Sequence, residues 1–180
     1  MKIALTGHTK GIGRDIYSSY FLIDNANEIV GFSKSNGYDI TKKEDRIRII
    51  NESMDCDVFI NNAHQGFGQV ELLVEMFDTW RMENKLIINI GTDSVPSTAW
   101  KVVHQQYPIE KASLHSAVEL LQQDKDRKIK LTLLALGHVD TEFNKDYKGP
   151  KLKINQIIDS IDYIVSQNNE IKSLIISPKA

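Results

Sequence analysis

The sequence predicts an α/β fold: an open, doubly wound parallel sheet of about six or seven strands with helices on both faces. Short aliphatic runs alternate with amphipathic segments along the whole chain of 180 residues, an order typical of right-handed βαβ crossovers. Several of these runs are apolar at every position, as expected of strands buried in a parallel sheet. The length suits one folding unit, so we predict a single domain over residues 1–180.

Each predicted strand is a short run rich in aliphatic residues: Lys2–Thr6, Glu28–Phe32, Val58–Asn61, Leu86–Gly91, Lys130–Leu136 and Ser173–Ile176. Between the runs, apolar residues recur at helical spacing. They do so at Val70, Leu73, Val74 and Phe77, and again between Ile154 and Val165. Thr41 followed by Glu44 is typical of a capping box, which predicts that a helix begins there.

Composition excludes several classes of partner. A net charge of −2 gives no reason to expect nucleic acid or an anionic membrane as a partner. Cys56 is the only cysteine, so no internal disulfide can form and a reducing compartment is expected. The first residues are too few and too polar for a signal peptide, and no run could span a membrane. We predict a cytoplasmic protein without a metal site.

A glycine-rich segment follows the first strand and reads Thr6-Gly7-His8-Thr9-Lys10-Gly11-Ile12-Gly13. Such glycines allow a tight turn, a close approach of the backbone to a pyrophosphate, and packing of the helix against the strand. The free amides where the helix begins would then meet the phosphates. We predict a Rossmann-type dinucleotide loop with contacts from Gly7, Thr9, Lys10, Gly11, Ile12 and Gly13. A glycine turn in another class of α/β protein is the competing interpretation.

The end of the second strand indicates which dinucleotide binds. An NAD-selective site holds a carboxylate about twenty residues after the glycines, where it bonds the ribose hydroxyls. Here the strand Glu28–Phe32 leads into Ser33 and Lys34, and Lys10 adds a second cation. A 2′-phosphate requires such partners, so the sequence favours NADP(H) over NAD(H). Alternatively, both lysines are ordinary solvated surface residues.

Tyr107 and Lys111 lie four residues apart and therefore share one face of a helix. A phenol has a pKa near 10, and an ammonium about 4 Å away is expected to lower that pKa by about two. Pro108 is tolerated at the first helical position, which places Tyr107 at the helix mouth with an exposed phenol. The pair predicts a general acid–base group, although this spacing also occurs by chance on ordinary helices.

The strand Leu86–Gly91 runs into two hydroxyl residues, Thr92 and Ser94. Either hydroxyl could donate a hydrogen bond to a substrate carbonyl and orient it toward Tyr107. Both side chains point the same way in extended chain, so the residues themselves leave the choice open. Hydroxyl residues also favour turns, which is the structural alternative.

Together these residues resemble the short-chain dehydrogenase/reductase family. The glycine pattern of that family matches Thr6–Gly13, and its Tyr-x-x-x-Lys motif matches Tyr107 and Lys111. Three further segments are similar to family motifs and occur in the family's order: Asp39-Ile40-Thr41, Asn61-Asn62-Ala63-His64 and Gly137-His138-Val139-Asp140-Thr141. The matches cover almost the whole chain.

The resemblance implies an NADP(H)-dependent oxidoreductase for a small carbonyl or alcohol substrate, and a homodimer or homotetramer. It implies that Tyr107 exchanges a proton with the substrate oxygen and that Lys111 holds the nicotinamide ribose. The family's serine corresponds to Ser94 by its separation from Tyr107 and to Thr92 by its register in the strand; we favour Ser94. The remaining implied cofactor contacts are Ser33 and Lys34, Asp39 and Ile40 near adenine, Asn61, Asn62 and Ala63 at the adenosine ribose, and Gly137, Val139 and Thr141 at the carboxamide.

The chain departs from the family pattern in ways that leave two other functions open. The stretch between Phe32 and Asp39 is too short for the usual helix and crossover strand, and no residue before Leu86 is a convincing counterpart of the family's relay asparagine. His64 stands where the family has glycine. A dinucleotide-binding regulator without turnover is therefore one alternative. A sugar-nucleotide reductase or epimerase is the other.

Overall fold

The computed structural model describes residues 1–23, 28–93 and 106–179. Within these ranges the chain forms one sheet of six parallel strands in the order β2-β1-β3-β4-β5-β6. The strands are β1 Lys2–Thr6, β2 Glu28–Phe32, β3 Val58–Asn61, β4 Leu86–Thr92, β5 Lys130–Leu136 and β6 Ser173–Ile176. The predicted strand count is confirmed, and the predicted bounds differ only at the end of β4.

Five α-helices connect these strands: α1 Gly11–Ile23, α2 Lys43–Glu52, α3 Gly68–Trp80, α4 Gln106–Leu121 and α5 Ile154–Ser166. Two short 3₁₀ turns, Lys34–Asn36 and Glu142–Asn144, follow the second and fifth strands. No helix in the described ranges has both the length and the apolar character needed to cross a membrane.

The helices cover both faces of the sheet, as predicted. On one face, Ile16 of α1 and Ile161 of α5 pack with Leu5 and other side chains of the strands. On the other face, Ile49, Leu72 and Leu114, from α2, α3 and α4, form a second buried cluster. Apolar side chains on the two faces of the central strands therefore belong to two separate cores, which explains why these strands are apolar on both sides.

The strand order places a crevice above β1 and β3. The chain moves outward from β1 to β2 and then returns to the other side of β1 to form β3. Connections after β1 and β3 consequently leave the carboxyl edge of the sheet in opposite directions. In open α/β sheets, ligands bind at this switch point, and the glycine loop after Thr6 lies there.

The predicted capping box is wrong. Helix α2 begins at Lys43, and its N-cap residue, Lys42, makes no side-chain capping bond. The Thr41 hydroxyl instead donates to Oδ1 of Asp39 at 2.7 Å, and the Thr41 amide donates to the same oxygen at 3.0 Å. Thr41 therefore closes a turn around Asp39 and does not cap the helix.

Candidate active site

The glycine loop has the backbone shape that its sequence predicts. Gly7 and Gly11 adopt φ angles of 73° and 55°, in the left-handed region that side chains disfavour. A Cβ atom on Gly13 would lie 2.2 Å from the carbonyl oxygen of Gly7, so only glycine fits there. The loop thus folds back on the first turn of α1 and presents that helix start to the crevice.

Hydrogen bonds hold this loop against the end of β3. The Thr6 hydroxyl accepts from the amides of Asn62 and Ala63 at 3.0 and 2.9 Å, and Asn62 Nδ2 donates to the Thr6 carbonyl at 2.9 Å. Asn62 and Ala63 line the crevice as predicted. Asn61 does not: its side chain is fully buried and donates to the Gln69 carbonyl and to Asn89. The cofactor contact of Asn61 stays a prediction, and its side chain turns toward α3 and not into the cleft.

The residues after β2 form an ion pair that the sequence did not suggest. Lys34 Nζ lies 3.0 Å from Oδ2 of Asp39, and the Lys34 side chain is about half exposed. Burial alone would raise the pKa of Asp39, but hydrogen bonds from Thr41 and the contact with Lys34 outweigh it and lower that pKa to about 2. A carboxylate is therefore present beside the predicted phosphate-binding cation. Ser33 is nearly buried and shares a 2.8 Å hydrogen bond with Ser35.

A cleft of about 990 Å³ joins the glycine loop to Tyr107. It brings together most of the predicted site residues: Gly7, Thr9, Lys10, Gly11, Ile12, Ser33, Lys34, Ile40, Asn62, Ala63, Thr92, Tyr107, Gly137, Val139 and Thr141. Gly13, Asp39, Asn61 and Lys111 do not line this cleft, and Ser94 lies outside the described residues. The close approach at Gly13 and the open helix start fit a dinucleotide pyrophosphate.

At the inner end of the cleft, Thr92 is the hydroxyl beside Tyr107. Burial raises the pKa of the Tyr107 phenol, and a hydrogen bond with Thr92 acts in the opposite direction. Thr92 is the last residue of β4, and Tyr107 lies in the first turn of α4. Pro108 is the third residue of that helix and not its first, and the Tyr107 side chain is partly buried, so the predicted position of Pro108 and the predicted exposed phenol are both wrong. Because Ser94 lies outside the described residues, the preference for it over Thr92 stays a prediction.

The expected effect of Lys111 on Tyr107 is not found. Its ammonium lies 5.9 Å from the centre of the Tyr107 ring and donates to Oε1 of Gln69 at 2.9 Å and to the carbonyl of Ile90 at 3.1 Å. Burial lowers the pKa of Lys111 to about 8, with Glu110 acting the other way. The prediction of a lowered pKa for Tyr107 is therefore wrong for this structure, because two internal acceptors hold the cation away from the phenol.

Gln69 is the residue behind this arrangement, and sequence reasoning missed it. It is almost fully buried at the start of α3, where Nε2 donates to the carbonyls of Asn61 and Ile90 at 2.7 and 3.2 Å. Asn61 in turn donates to Asn89 at 3.0 Å. These amides link β3, β4 and α3 to Lys111. A polar residue at the start of a helix is ordinarily exposed to solvent, so only the tertiary contacts reveal that Gln69 is buried and holds Lys111.

His64 and Glu110 form a second polar contact at the inner end of the cleft. Nε2 of His64 lies 2.8 Å from Oε2 of Glu110, close but not aligned for a hydrogen bond. The His64 ring also meets the Tyr107 ring edge to face, with centres 4.9 Å apart and planes at 75°. Burial and the charge of Lys111 lower the pKa of His64, while Glu110 raises it. Glu110 is buried with 4% of its surface exposed, which the sequence did not indicate.

The segment after β5 closes the cleft opposite the glycine loop. The Leu152 amide donates to the His138 carbonyl at 2.7 Å, and Asn144 Nδ2 donates to the carbonyl of Val139 at 3.0 Å. These bonds fix the backbone that carries Gly137, Val139 and Thr141, the predicted carboxamide contacts. The side chain of His138 stacks on Tyr147, with ring centres 3.8 Å apart.

No protein-family model matches the chain, and no curated protein matches it in sequence. Solved structures do match. A short-chain dehydrogenase from Burkholderia cenocepacia J2315 in complex with NADP aligns with a TM-score of 0.78 and 15% identity, covering 99% of this chain and 88% of that one. The 3-alpha-hydroxysteroid dehydrogenase from Pseudomonas sp. B-0831 complexed with NADH gives 0.76 and 13%, with coverage of 98% and 95%.

A third match is the NADPH-dependent 3-quinuclidinone reductase from Rhodotorula rubra, with a TM-score of 0.72, 14% identity and coverage of 98% and 89%. The three alignments cover nearly the whole of this chain. At these identities the likeness concerns architecture. The chain therefore has the Rossmann-type α/β fold of the short-chain dehydrogenases and reductases.

Proposed function

We propose that the protein is an NAD(P)-dependent oxidoreductase that interconverts a small carbonyl compound and its alcohol. The observation that carries this proposal is a single cleft that has a glycine loop at one end and Tyr107, hydrogen-bonded to Thr92, at the other. When bound, the nicotinamide would supply the hydride chemistry. The protein's own part is to bind, to orient and to move one proton.

The proposed roles follow from position in the cleft. The amides at the start of α1 hold the pyrophosphate, and Val139 and Thr141 meet the nicotinamide side. Tyr107 exchanges a proton with the substrate oxygen, and Thr92 orients that oxygen. The fold supports these assignments, since the three similar structures are dehydrogenases or reductases that contain or use NADP, NADH or NADPH.

We further propose that NADP(H) is preferred. Lys10, Ser33 and Lys34 line the adenosine end of the cleft and provide the cations and hydroxyl that a 2′-phosphate needs. The Lys34–Asp39 ion pair weakens this preference but does not reverse it, because Asp39 does not line the cleft while Lys34 does. A phosphate would then compete with Asp39 for the same ammonium.

Titration of the purified protein with NADPH and NADH, followed by a screen of aldehydes, ketones and quinones, tests the proposal. We expect NADPH to bind more tightly and its absorbance to fall with at least one carbonyl compound. Tyr107→Phe should keep cofactor binding and lose turnover by about a hundredfold or more. Equal turnover in the two proteins would exclude Tyr107 as the acid.

A dinucleotide-binding regulator is the second candidate. Lys111 points inward and does not line the cleft. This position favours a regulator over a conventional Tyr–Lys enzyme. Binding of NADPH without turnover of any carbonyl compound, in the native protein and in Tyr107→Phe alike, is the result expected of a regulator. The cytoplasmic location and the homodimer or homotetramer stay predictions, and light scattering of the purified protein measures the latter.

A further inference from the structure

The partial burial of Tyr107 creates a requirement that Lys111 does not meet. Burial opposes ionisation of the phenol, and the ammonium that was expected to assist it donates instead to Gln69 and Ile90. A partly buried tyrosine that gives and takes protons needs a neighbouring group to exchange them with. Among the described residues, His64 is in ring contact with Tyr107.

His64 is oriented by a buried carboxylate. Within the described ranges, the ion-pair contact of Glu110 is with His64, and only 4% of the Glu110 surface is exposed. A carboxylate so placed costs free energy unless it is paired. Nε2 of His64 lies 2.8 Å from Oε2 of Glu110, so we assign the proton of the neutral ring to that nitrogen, which leaves Nδ1 as the acceptor.

We propose that Glu110 and His64 form a carboxylate–imidazole relay that takes up and returns the proton of Tyr107. The relay rests on the proposed oxidoreductase function. The His64 ring lies edge to face against the Tyr107 ring with centres 4.9 Å apart, and the Glu110 carboxylate lies 2.8 Å from Nε2 of His64. A carboxylate, an imidazole and a hydroxyl in this order activate nucleophiles in other enzymes. The imperfect alignment of His64 with Glu110 is compatible with this role, since catalytic hydrogen bonds often tighten only when ligands bind.

Each proton in the proposed relay has a donor and an acceptor. During alcohol oxidation the O–H bond of Tyr107 breaks and an N–H bond forms at Nδ1 of His64, directly or through one water molecule. The alcohol proton then passes to the Tyr107 phenolate, and a bound nicotinamide would accept the hydride, with its electron pair, from the carbon. His64 finally releases its proton to solvent through the cleft that it lines. Carbonyl reduction runs each transfer in reverse.

The competing explanation is that the pair only ties the connection after β3 to α4. A structural ion pair would contribute to stability but would not set the pH dependence of catalysis. The charged groups that act on His64 among the described residues are Glu110 and Lys111, both of α4, and Tyr107 is the titratable group in ring contact with it. Substitutions at Glu110 and His64 therefore separate the two explanations.

The first experiment needs no cofactor. NMR titration of the histidine Cε1–H signals, with His64 assigned by its loss in His64→Asn, measures the midpoint of the imidazole. We expect a native midpoint below the ordinary histidine value, and a further fall of about one pH unit in Glu110→Gln, because the carboxylate that favours the imidazolium is gone. Glu119 is an exposed carboxylate of the same helix, so Glu119→Gln should leave the His64 midpoint unchanged. An unchanged midpoint in Glu110→Gln would overturn the pairing.

The second experiment measures kcat/KM for alcohol oxidation against pH. The native rate should rise with pH through the His64 midpoint, since the relay needs a neutral imidazole. Glu110→Gln should move this acid limb to lower pH and reduce the plateau about tenfold, and His64→Asn should abolish the limb and reduce the plateau about a hundredfold. Glu119→Gln should match the native profile. Thermal melting of each variant confirms that it is folded.

The outcomes distinguish the relay from the function on which it rests. If His64→Asn keeps the native rate and acid limb while Tyr107→Phe loses turnover, the relay is wrong and the oxidoreductase stands. If neither the native protein nor Tyr107→Phe turns over any alcohol or carbonyl compound with bound cofactor, the oxidoreductase and the relay both fail. In that case a midpoint shift in Glu110→Gln would report a structural ion pair only.

Discussion

Lys111 shows how the surroundings of one side chain decide its chemistry. Its sequence position beside Tyr107 predicts a cation that acts on a phenol, yet its ammonium is buried and bonded to Gln69 and to the Ile90 carbonyl. Burial penalises the charged form and lowers the pKa of Lys111 to about 8. The ammonium can therefore lose its proton at a mildly alkaline pH.

We expect Gln69 to control the position of that ammonium. Gln69→Leu removes one of its two acceptors, so the pKa of Lys111 should fall further and turnover should drop about tenfold, a typical effect of an unsatisfied buried group. Gln69→Glu should raise the pKa of Lys111 by adding a negative charge. The ¹⁵N chemical shift of Lys111 Nζ against pH measures both effects.

The matched control for Gln69 is Gln123→Leu. Gln123 is exposed two residues after the end of α4, and its side chain donates to the Glu119 carbonyl. Its replacement should change neither the pKa of Lys111 nor turnover. A Gln69→Leu protein with the native Lys111 titration would show that Gln69 does not position the ammonium.

Asp39 is the residue that tunes the choice between the two dinucleotides. Asp39→Asn keeps the oxygen that accepts hydrogen bonds from Thr41 but removes the negative charge that pairs with Lys34. NADPH binding should improve by up to about fivefold, because an exposed ion pair is worth at most about 1 kcal/mol, and NADH binding should hardly change. Fluorescence titration gives both dissociation constants; an equal gain for the two cofactors would contradict the role of Lys34.

At the scale of elements, the glycine loop combines two different physical demands. Gly11 has a positive φ, but a methyl group added to it would have no neighbour within 4 Å. Glycine is therefore favoured at this position by its backbone conformation and not by lack of space. Gly13 has no unusual φ but approaches the Gly7 carbonyl so closely that a methyl group would overlap it. Both demands come from one loop that must reverse between β1 and α1.

These demands predict different costs for alanine. Gly11→Ala should lower the free energy of unfolding by about 1–2 kcal/mol, the cost of a left-handed alanine, and the fold of the loop should persist. Gly13→Ala should cost more and weaken NADPH binding at least tenfold, because the loop backbone must move away from α1. Chemical denaturation without cofactor, and NADPH titration, measure the two effects. Similar losses of stability in both variants would contradict this distinction.

Secondary structure was largely predictable at this scale, for a clear physical reason. Strands such as Lys130–Leu136 are apolar on both faces because helices cover both sides of the sheet, and that pattern is visible without coordinates. Local turn chemistry was less predictable. Thr41 is a residue type that caps helices, but Asp39 accepts the hydrogen bond of its hydroxyl. Which of the two interactions forms depends on the path of the backbone.

For the whole molecule, the buried Lys111 links stability to pH. Its folded pKa of about 8 lies below the ordinary lysine value of 10.5, so the unfolded chain binds more protons between these two values. Stability therefore rises with pH across this window, by at most about 1.4 kcal/mol per pH unit. Cys56 acts oppositely: burial raises its pKa from 9.0 to about 11, so its contribution is lost as pH rises through that range.

Lys111→Met separates the two contributions. The native protein should gain stability relative to this variant as pH rises from about 8 to about 10.5, whereas Cys56 affects both proteins equally and cancels in the difference. Urea unfolding at a series of pH values supplies the difference curve. Parallel curves over this window would mean that Lys111 has an ordinary pKa in the folded protein.

The order of strands and helices, the glycine loop and the place of Tyr107 near the start of a helix followed from the sequence, because these depend on local periodicity and on backbone freedom. The hydrogen bond between Tyr107 and Thr92 came only from the structure. The tertiary structure alone decided what the polar groups do. Asn61 turns inward, Gln69 holds Lys111, and Glu110 faces His64, although each pair is far apart in sequence or hidden within a motif. Partners of this kind are set by how strands and helices meet, and burial then fixes their charge.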